Sequence, residues 1–410
     1  MTHRDDMDHQ EGNRQGSMTR RQSLGTLGAG AAVVLAAPAV LAQEMAQPPS
    51  TVTSPPRSFA PDAPPNVYFR DPDVLSVDPG FDALAQGNAP IRRLWTGGLW
   101  VEGPAWSAVG QYLLWSDIPN NRQLRWLQDD GHVSVMRAPS NNSNGNSFDS
   151  KGRQLSCEHL TRRVVRYELD GTTSIVADSY EGKRFNSPND VVEHADGSVW
   201  FTDPPYGGQL YEGTPDAAGG PSNPDGRINN RIGQPPEIGA AKREMGHGVY
   251  RVAPDGTITR VIEEAQVQDP NGLCFSPDFS RLYVASTGKG PGDTGSGGKG
   301  EIFVFDVAPD GAVSNGRLFT DCVVDEVKCG PDGLRCDVFG NLWASSNAGR
   351  TVGYSGVTCW APDGRLLGRI RLPEVCGNIC FGGPKRNVLF MAASQSIYAL
   401  PTATQGAGFS

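Results

Sequence analysis

Six side chains that carry an oxygen ligand atom open six similar segments of the sequence. They are Glu102, Asn144, Asn189, Asn271, Asp332 and Asn378. Carboxylate and amide oxygens without His or Cys suit a hard divalent cation, so Ca²⁺ is the first choice and Zn²⁺, Mn²⁺ and Mg²⁺ are alternatives. Asn and Asp also occur at strand starts simply because they favour turns. Turn preference would explain one such segment, but it explains less well why an oxygen-bearing side chain recurs at the same position in all six. We predict a site for one divalent cation with these metal ligands: Glu102, Asn189, Asn271 and Asp332.

Each of these side chains opens a segment in which a polar turn joins two short apolar strands. The segments span residues 102–117, 144–159, 189–203, 271–287, 331–346 and 377–394. A second alternating hairpin, often with Asp-Gly at its turn, follows most of them, as in residues 248–262. Period-two alternation with Gly-containing turns indicates antiparallel strands, and four strands at a regular spacing are typical of propeller blades. The predicted fold is all-β, a six-bladed β-propeller with four-stranded antiparallel blades.

Blade geometry predicts which residues meet. The innermost strand of every blade starts on one face near the axis, so the six opening side chains should form a ring there. Connections between second and third strands return to this face. Two of them, residues 207–246 and 288–300, are long enough to predict a lid or pocket wall. The sixth segment has no room for a fourth strand, so residues 91–96 are predicted to complete the last blade and close the ring.

Composition limits the class of partner. The 410 residues are 38% hydrophobic and 20% charged, which is ordinary for a soluble globular protein with a large core. The formal net charge of -9 and the lack of a long Lys/Arg run argue against nucleic acid or an anionic membrane as partner. A small neutral or cationic ligand fits better.

The N-terminal residues resemble an export signal. Arg20-Arg21 precedes an apolar, Ala-rich run, residues 24–42, which is short for a membrane span and ends in small residues. We interpret residues 1–42 as a signal peptide of the Tat type and expect an exported, periplasmic protein with no membrane span after processing. A Sec signal or an uncleaved anchor is the alternative, and translation starts at Met1 or Met18. Residues 43–82 are predicted to form a flexible leader, and residues 83–405 the propeller.

Eight cysteines occur, none in the paired CxxC pattern of a structural zinc site. Most lie in apolar runs and are predicted to be buried thiols that act as small hydrophobic side chains. An oxidising compartment would also permit Cys322 to pair with Cys329, or Cys376 with Cys380.

Four short motifs carry a resemblance to a known family. They are Glu102-Gly103-Pro104, Ser187-Pro188-Asn189-Asp190, Asn271-Gly272-Leu273 and Pro331-Asp332-Gly333-Leu334. In this order they resemble the signature of the SMP-30/gluconolactonase/LRE-like family of six-bladed propellers, over roughly residues 83–400. Residues 183–207 are especially similar to bacterial exported gluconolactonases.

The resemblance implies a lactone hydrolase that uses calcium or another divalent ion. It places Glu102, Asn271 and Asp332 on metal ligands, and Asn189 on a residue that contacts metal or substrate. Relatives that hydrolyse organophosphates exist. Where one of them has a Glu-His pair in the last blade, this chain has Ala393-Ser394, which puts that activity in doubt.

A lactone carbonyl must become a tetrahedral oxyanion before the ring C–O bond breaks. A cation can polarise the carbonyl, stabilise the charge and lower the pKa of a coordinated water. Asp332 is the candidate catalytic base, the alternative being that it is only a ligand. No Gly-x-Ser-x-Gly motif supports a serine nucleophile.

Three further residues are candidates for substrate binding beside Asn189. His159 could donate to a sugar hydroxyl or shuttle a proton, or be a hydrogen-bonded structural residue. Arg184 could bind hydroxyls or the product carboxylate, or form a surface ion pair. Tyr206 could cover the ligand, or be a packed aromatic. His132, His194 and His247 receive no role.

The predicted function is therefore divalent-metal-dependent hydrolysis of a small-molecule, gluconolactone-type sugar lactone to the aldonic acid. Two alternatives stay open. One is a related ester or organophosphate hydrolase, which would use the same metal with a different pocket. The other is a non-catalytic propeller that binds carbohydrate or protein.

Overall fold

The structure is a computed structural model that describes residues 55–63, 70–208, 244–287, 299–349 and 351–408. All of them fall within the unit Gln47–Ser410. The predicted signal peptide lies outside the described residues, as do residues 209–243 and 288–298 of the two predicted lid connections. Among the described helices, none has the length and apolar character needed to cross a bilayer.

Six antiparallel sheets form the blades, each from four strands listed from the axis outwards. Blade one contains Val101–Ser107, Tyr112–Asp117, Arg122–Leu127 and Val133–Arg137. Blade two contains Ser143–Phe148, Gln154–Glu158, Arg163–Tyr167 and Thr173–Ala177. Blade three contains Val191–Glu193, Val199–Asp203, Gly248–Val252 and Ile258–Glu263. Blade four contains Pro270–Phe275, Arg281–Ser286, Glu301–Val307 and Val313–Thr320. Blade five contains Leu334–Cys336, Leu342–Ser346, Gly356–Trp360 and Leu366–Arg371. Blade six contains Cys376–Gly382, Val388–Ala393, Ser396–Pro401 and Arg92–Thr96.

The inner strands close a ring. Each contacts the inner strands of both neighbouring blades, including that of blade six against that of blade one. The last blade takes its outer strand from the N-terminal side of the propeller, since Arg92 pairs with Ala399 and Thr96 with Ser396. The predicted six-bladed propeller and its closure by the strand near residue 91 are both confirmed.

The N-terminal boundary of the propeller differs from the prediction. Val74–Ser76 pairs with the outer strand of blade five and makes it a five-stranded sheet. A 3₁₀ helix, Pro79–Ala83, follows, and its buried Phe81 packs on Trp343. The interpretation of residues 43–82 as a flexible leader is therefore wrong for residues 70–82. Three strand residues are too short a pattern to detect from sequence.

Asp-Gly turns set the second hairpin of most blades, as predicted. The glycines have left-handed backbones, with φ of 72° at Gly131, 87° at Gly171, 88° at Gly256, 84° at Gly311 and 87° at Gly364. In this region a Cβ is strained, so glycine suits the position. The preceding Asp usually accepts a backbone N–H two residues later, as Asp255 does from Thr257 at 2.9 Å.

Large aromatic side chains fill the core between blades. Trp115, Trp200 and Trp343 lie on second strands and are among the largest fully buried side chains. Replacing such a residue by Ala typically costs roughly 3–5 kcal/mol. The core therefore fixes how each blade packs on the next, and with it the positions of the inner strands.

The remaining described elements are short. Two-stranded ribbons pair Ser179–Tyr180 with Lys183–Arg184 and Val323–Val324 with Val327–Lys328. A second 3₁₀ helix spans Tyr206–Gly208.

All eight cysteines are buried free thiols, as predicted for most of them. Cys376 and Cys380 lie four residues apart on one inner strand. Extended residues rise about 3.3 Å each, so this strand separates them too far for a disulfide. The sulfur atoms of Cys274 and Cys336 lie 3.9 Å apart, on the inner strands of blades four and five.

Candidate active site at the propeller axis

The six opening side chains are all buried at the starts of the inner strands. Their backbones touch around the ring: the N–H of Gly145 donates to the carbonyl of Asn189 at 2.8 Å. A Cβ on Gly103 would lie 2.1 Å from the Asn144 carbonyl oxygen, and one on Gly272 would lie 2.0 Å from that of Asp332. Only glycine permits so close an approach. The Asx-Gly and Glu-Gly pairs in the sequence therefore have a structural cause.

Asp190 adds a third carboxylate to this site, and it was not among the predicted site residues. Asn378 of blade six donates its side-chain amide to both Asp190 oxygens, at 3.0 and 3.2 Å. Asn378 also lies near Glu102 and opposes the rise in the pKa of that carboxyl. A signal existed in the sequence, because Asp190 follows Asn189 at the position where the segments of blades one, two, four and five have Gly.

The three carboxyl groups lie close enough to oppose one another's ionisation. Burial, and then the charge of Asp190, raises the pKa of Glu102 to about 8. Burial, and then the charges of Glu102 and Asp190, raises the pKa of Asp332 well above its usual range. Burial also raises the pKa of Asp190, although Arg335 and Asn378 oppose the shift. Such a cluster favours a bound cation, which would relieve the repulsion.

Amide oxygens are needed to complete a cation site here. Among the described residues, no group of three or more His, Cys, Asp and Glu side chains has the arrangement of a metal site. However, the side-chain oxygens of Asn144 and Asn271 are buried and accept no hydrogen bond within the described part of the chain. A buried carbonyl oxygen without a partner is costly. A hard cation would satisfy it, so the residues present fit the predicted cation.

A buried carboxylate, that of Asp203, holds the segment that carries Asn189. Asp203, which ends the second strand of blade three, accepts the N–H of Ser187 at 2.7 Å and that of Asn186 at 2.8 Å. Burial raises the pKa of Asp203 to about 7. The N–H of Asn189 donates to the Thr202 carbonyl at 2.9 Å. These contacts fix the corner that presents Asn189.

His159 lies beside the ring, as predicted. It is buried, and its Nε2 is 3.3 Å from Nδ2 of Asn144. Burial lowers its pKa to about 3, so the imidazole is neutral near pH 7. A Cβ on Gly207 would lie 2.9 Å from its Cγ, which places His159 beneath the start of the long connection.

Tyr206 also lies near the predicted ligands. It is buried, and burial together with the charges of Asp269 and Asp332 raises its pKa well above the usual range. Ser187 fixes the adjacent turn, since its hydroxyl donates to the Pro204 carbonyl at 2.6 Å and accepts the N–H of Gly207 at 2.9 Å.

His247 contacts the segment that carries Asn271. Its Nδ1 is 2.8 Å from Oδ1 of Asp269, and both residues are fully buried. His247 was not among the predicted site residues, because its pairing with Asp269 joins two blades and leaves no local pattern in the sequence.

Arg184 is the candidate that the structure does not bring to the ring. It is exposed, and its guanidinium donates to the Thr161 carbonyl at 2.9 Å. No described contact links it to the six opening side chains.

The family of the chain follows from comparison with known proteins. Residues 100–395 match the family described as the SMP-30/Gluconolactonase/LRE-like region. The chain belongs to this family. The family resemblance that the four sequence motifs carried is therefore confirmed.

Relatives within the SMP-30/gluconolactonase/LRE-like family include named lactonases. A gluconolactonase from Zymomonas mobilis is 31% identical over 353 residues, which cover 81% of this chain and 87% of that protein. A pentonolactonase from Haloferax volcanii is 26% identical over 306 residues, which cover 72% and 81%. The known structure of a gluconolactonase from Xanthomonas campestris is 33% identical, covers 83% of this chain and 98% of its own, and superposes with a TM-score of 0.65.

Proposed function

We propose that this chain hydrolyses a sugar lactone of the gluconolactone type to the aldonic acid, with a divalent cation at the propeller axis. Its relatives carry the names of sugar lactonases, so hydrolysis of a lactone ester is the supported reaction class. The observation that supports the cation is the buried Asn271 side-chain oxygen, which has no hydrogen-bond partner among the described residues and lies in a site with three mutually repelling carboxyl groups.

Glu102, Asn271 and Asp332 would hold the cation, with Asn189 on the cation or the substrate. Ca²⁺ is the first choice because every donor is a carboxylate or amide oxygen. When bound, a divalent cation supplies electrophilic polarisation of the ester carbonyl and a counter-charge for the oxyanion.

Asp332 is the proposed general base. As an ionised carboxylate it takes a proton from the attacking water while the water oxygen bonds to the lactone carbonyl carbon. When the tetrahedral oxyanion collapses, the ring C–O bond breaks and the leaving alkoxide takes the proton that Asp332 removed from the water, which restores the Asp332 carboxylate. The products are a free hydroxyl and a carboxylic acid. Without a counter-charge the pKa of Asp332 is raised, which favours the protonated carboxyl. Asp332 therefore needs a positive charge nearby to be ionised and act as a base.

His159 and Tyr206 are the proposed substrate contacts. His159 is neutral, so it can both donate to and accept from a sugar hydroxyl. Tyr206 keeps its proton and can donate through its phenol group. Both are buried beside ring residues, so they can form a wall of the substrate site.

A hydrolysis assay with controlled metal content tests the proposal. Chelator-treated protein is assayed on aldonolactones, homoserine lactones and paraoxon-like esters, before and after addition of Ca²⁺, with calcium-saturated chelator as control. We expect aldonolactone hydrolysis that returns with Ca²⁺. Hydrolysis of the organophosphate esters alone would move the function to that class. A flat response to every substrate would favour a binding propeller.

A further inference from the structure

A buried polar cluster joins blades one and two next to the axial ring. Its members are Ser116, Gln123, Asn146, Gln154 and Ser156. None of them is among the six opening side chains. Polar side chains in a core are costly unless each finds hydrogen-bond partners, so this cluster calls for a physical reason.

Asn146 is the centre of the cluster and is 1% exposed. Its side-chain oxygen accepts from Ser156 Oγ at 2.8 Å, Gln154 Nε2 at 3.0 Å and Gln123 Nε2 at 3.1 Å. Its Nδ2 lies 2.9 Å from the carbonyl of Gly103, 2.9 Å from that of Asn144 and 3.0 Å from the Ser116 hydroxyl.

The orientation of the Asn146 amide is determined by these partners. Backbone carbonyls only accept hydrogen bonds, so the side facing Gly103 and Asn144 must be the NH₂ group. The two glutamine NH₂ groups on the other side are donors and require the oxygen. Neither a carboxylate nor an apolar side chain can replace both functions.

The contacts of Asn146 lead directly to Glu102. Gly103 donates its N–H to Oε2 of Glu102 at 3.1 Å, and its carbonyl is held by Asn146. The same amide holds the carbonyl of Asn144, whose side chain approaches His159. The two segments are tightly packed against each other, because a Cβ on Gly103 would lie 2.1 Å from the Asn144 carbonyl oxygen.

We propose that Asn146 is a positioning residue that sets the Glu102 carboxylate for cation binding, acting through the backbone of Gly103, and that holds the neighbouring Asn144 in place through its carbonyl. This inference rests on the proposed cation site. Residues that orient metal ligands from outside the coordination sphere are commonly worth about 10–100-fold in metal affinity.

The test measures Ca²⁺ affinity by calorimetry on chelator-treated protein, with circular dichroism and urea unfolding as measures of folding. Asn146→Leu removes the hydrogen bonds at similar volume, and Asn146→Ser is the milder variant should Leu prevent folding. Ser147→Ala is the matched control. Ser147 follows Asn146 on the same strand, and its buried hydroxyl has no hydrogen-bond partner among the described residues.

We expect the folded Asn146 variant to bind Ca²⁺ about 10–100-fold more weakly than wild type, with Ser147→Ala close to wild type. Folded Asn146 variants with wild-type affinity would overturn the positioning role and leave the cation site intact. A wild-type protein that binds no Ca²⁺ would overturn the cation site itself. The two failures are therefore distinguishable.

Discussion

The side-chain amide of Asn378 donates to the carboxylate of Asp190 at 3.0 Å, and the two residues belong to blades six and three. These blades are opposite one another in a six-bladed ring. The hydrogen bond therefore spans the axis and ties together the two halves of the propeller at the site. It also supplies a donor to a buried carboxylate that lies among other acids.

Replacing Asn378 tests this link. Asn378→Ala should lower the free energy of unfolding by about 1.5–3 kcal/mol, since a buried hydrogen bond to a charged group is lost. Asn378→Asp should cost more, because it places a further carboxylate beside Asp190. Urea unfolding of both variants without added metal measures the difference. Equal stability of the two variants would show that a carboxylate at position 378 is not repelled by the Asp190 carboxylate.

Closure of the ring can be tested by two nested truncations. A chain that begins at residue 83 loses the fifth strand of blade five, Val74–Ser76, but keeps every four-stranded blade. A chain that begins at residue 98 also loses Arg92–Thr96 and leaves an open edge on blade six. We expect the first to fold with a lower Tm, and the second to unfold or aggregate, because an unpaired sheet edge is exposed. A soluble second truncation with the Tm of the first would contradict closure by this strand.

His159 should make the folded protein sensitive to acid. Its pKa is about 3 when folded, against an ordinary value of 6.5. Between these values the unfolded chain binds a proton that the folded chain does not, so stability is present above pH 6.5 and falls as the pH falls. At pH 5 the loss reaches about 2 kcal/mol.

The variant His159→Gln should therefore lose less stability than wild type between neutral pH and pH 5. The exposed His132, changed to Gln, serves as the control for loss of a histidine side chain. Denaturant unfolding at several pH values gives the slopes. Identical slopes for wild type and His159→Gln would rule out a buried neutral imidazole.

Local patterns in the sequence were sufficient to predict the blades. Alternating strands and Asp-Gly turns are local, and the opening residues recur in each blade, so fold, closure and ring could all be predicted. The axial contact of Asn378 with Asp190 joins residues 188 positions apart and leaves no local trace. Two further features were missed because tertiary packing alone defines them. They are the contact between His247 and Asp269, and the strand Val74–Ser76.

The role of Asp332 can be separated from simple ligation. Asp332→Asn keeps a carbonyl oxygen but loses the charge and the basicity of the carboxylate. At saturating calcium its kcat should stay roughly 10²–10⁴-fold below wild type, the usual worth of a positioned base. Glu102→Gln should instead recover much of its activity when calcium is raised. Full recovery of Asp332→Asn would reduce Asp332 to a ligand.

The most direct test of a cation site at the propeller axis is a calorimetric titration of chelator-treated protein with Ca²⁺, comparing wild type with Glu102→Gln. We predict one binding site in wild type and an affinity at least about tenfold weaker in the variant, because ligand charge sets calcium affinity. No binding to wild type, or equal affinity in both proteins, would contradict a cation site at the propeller axis.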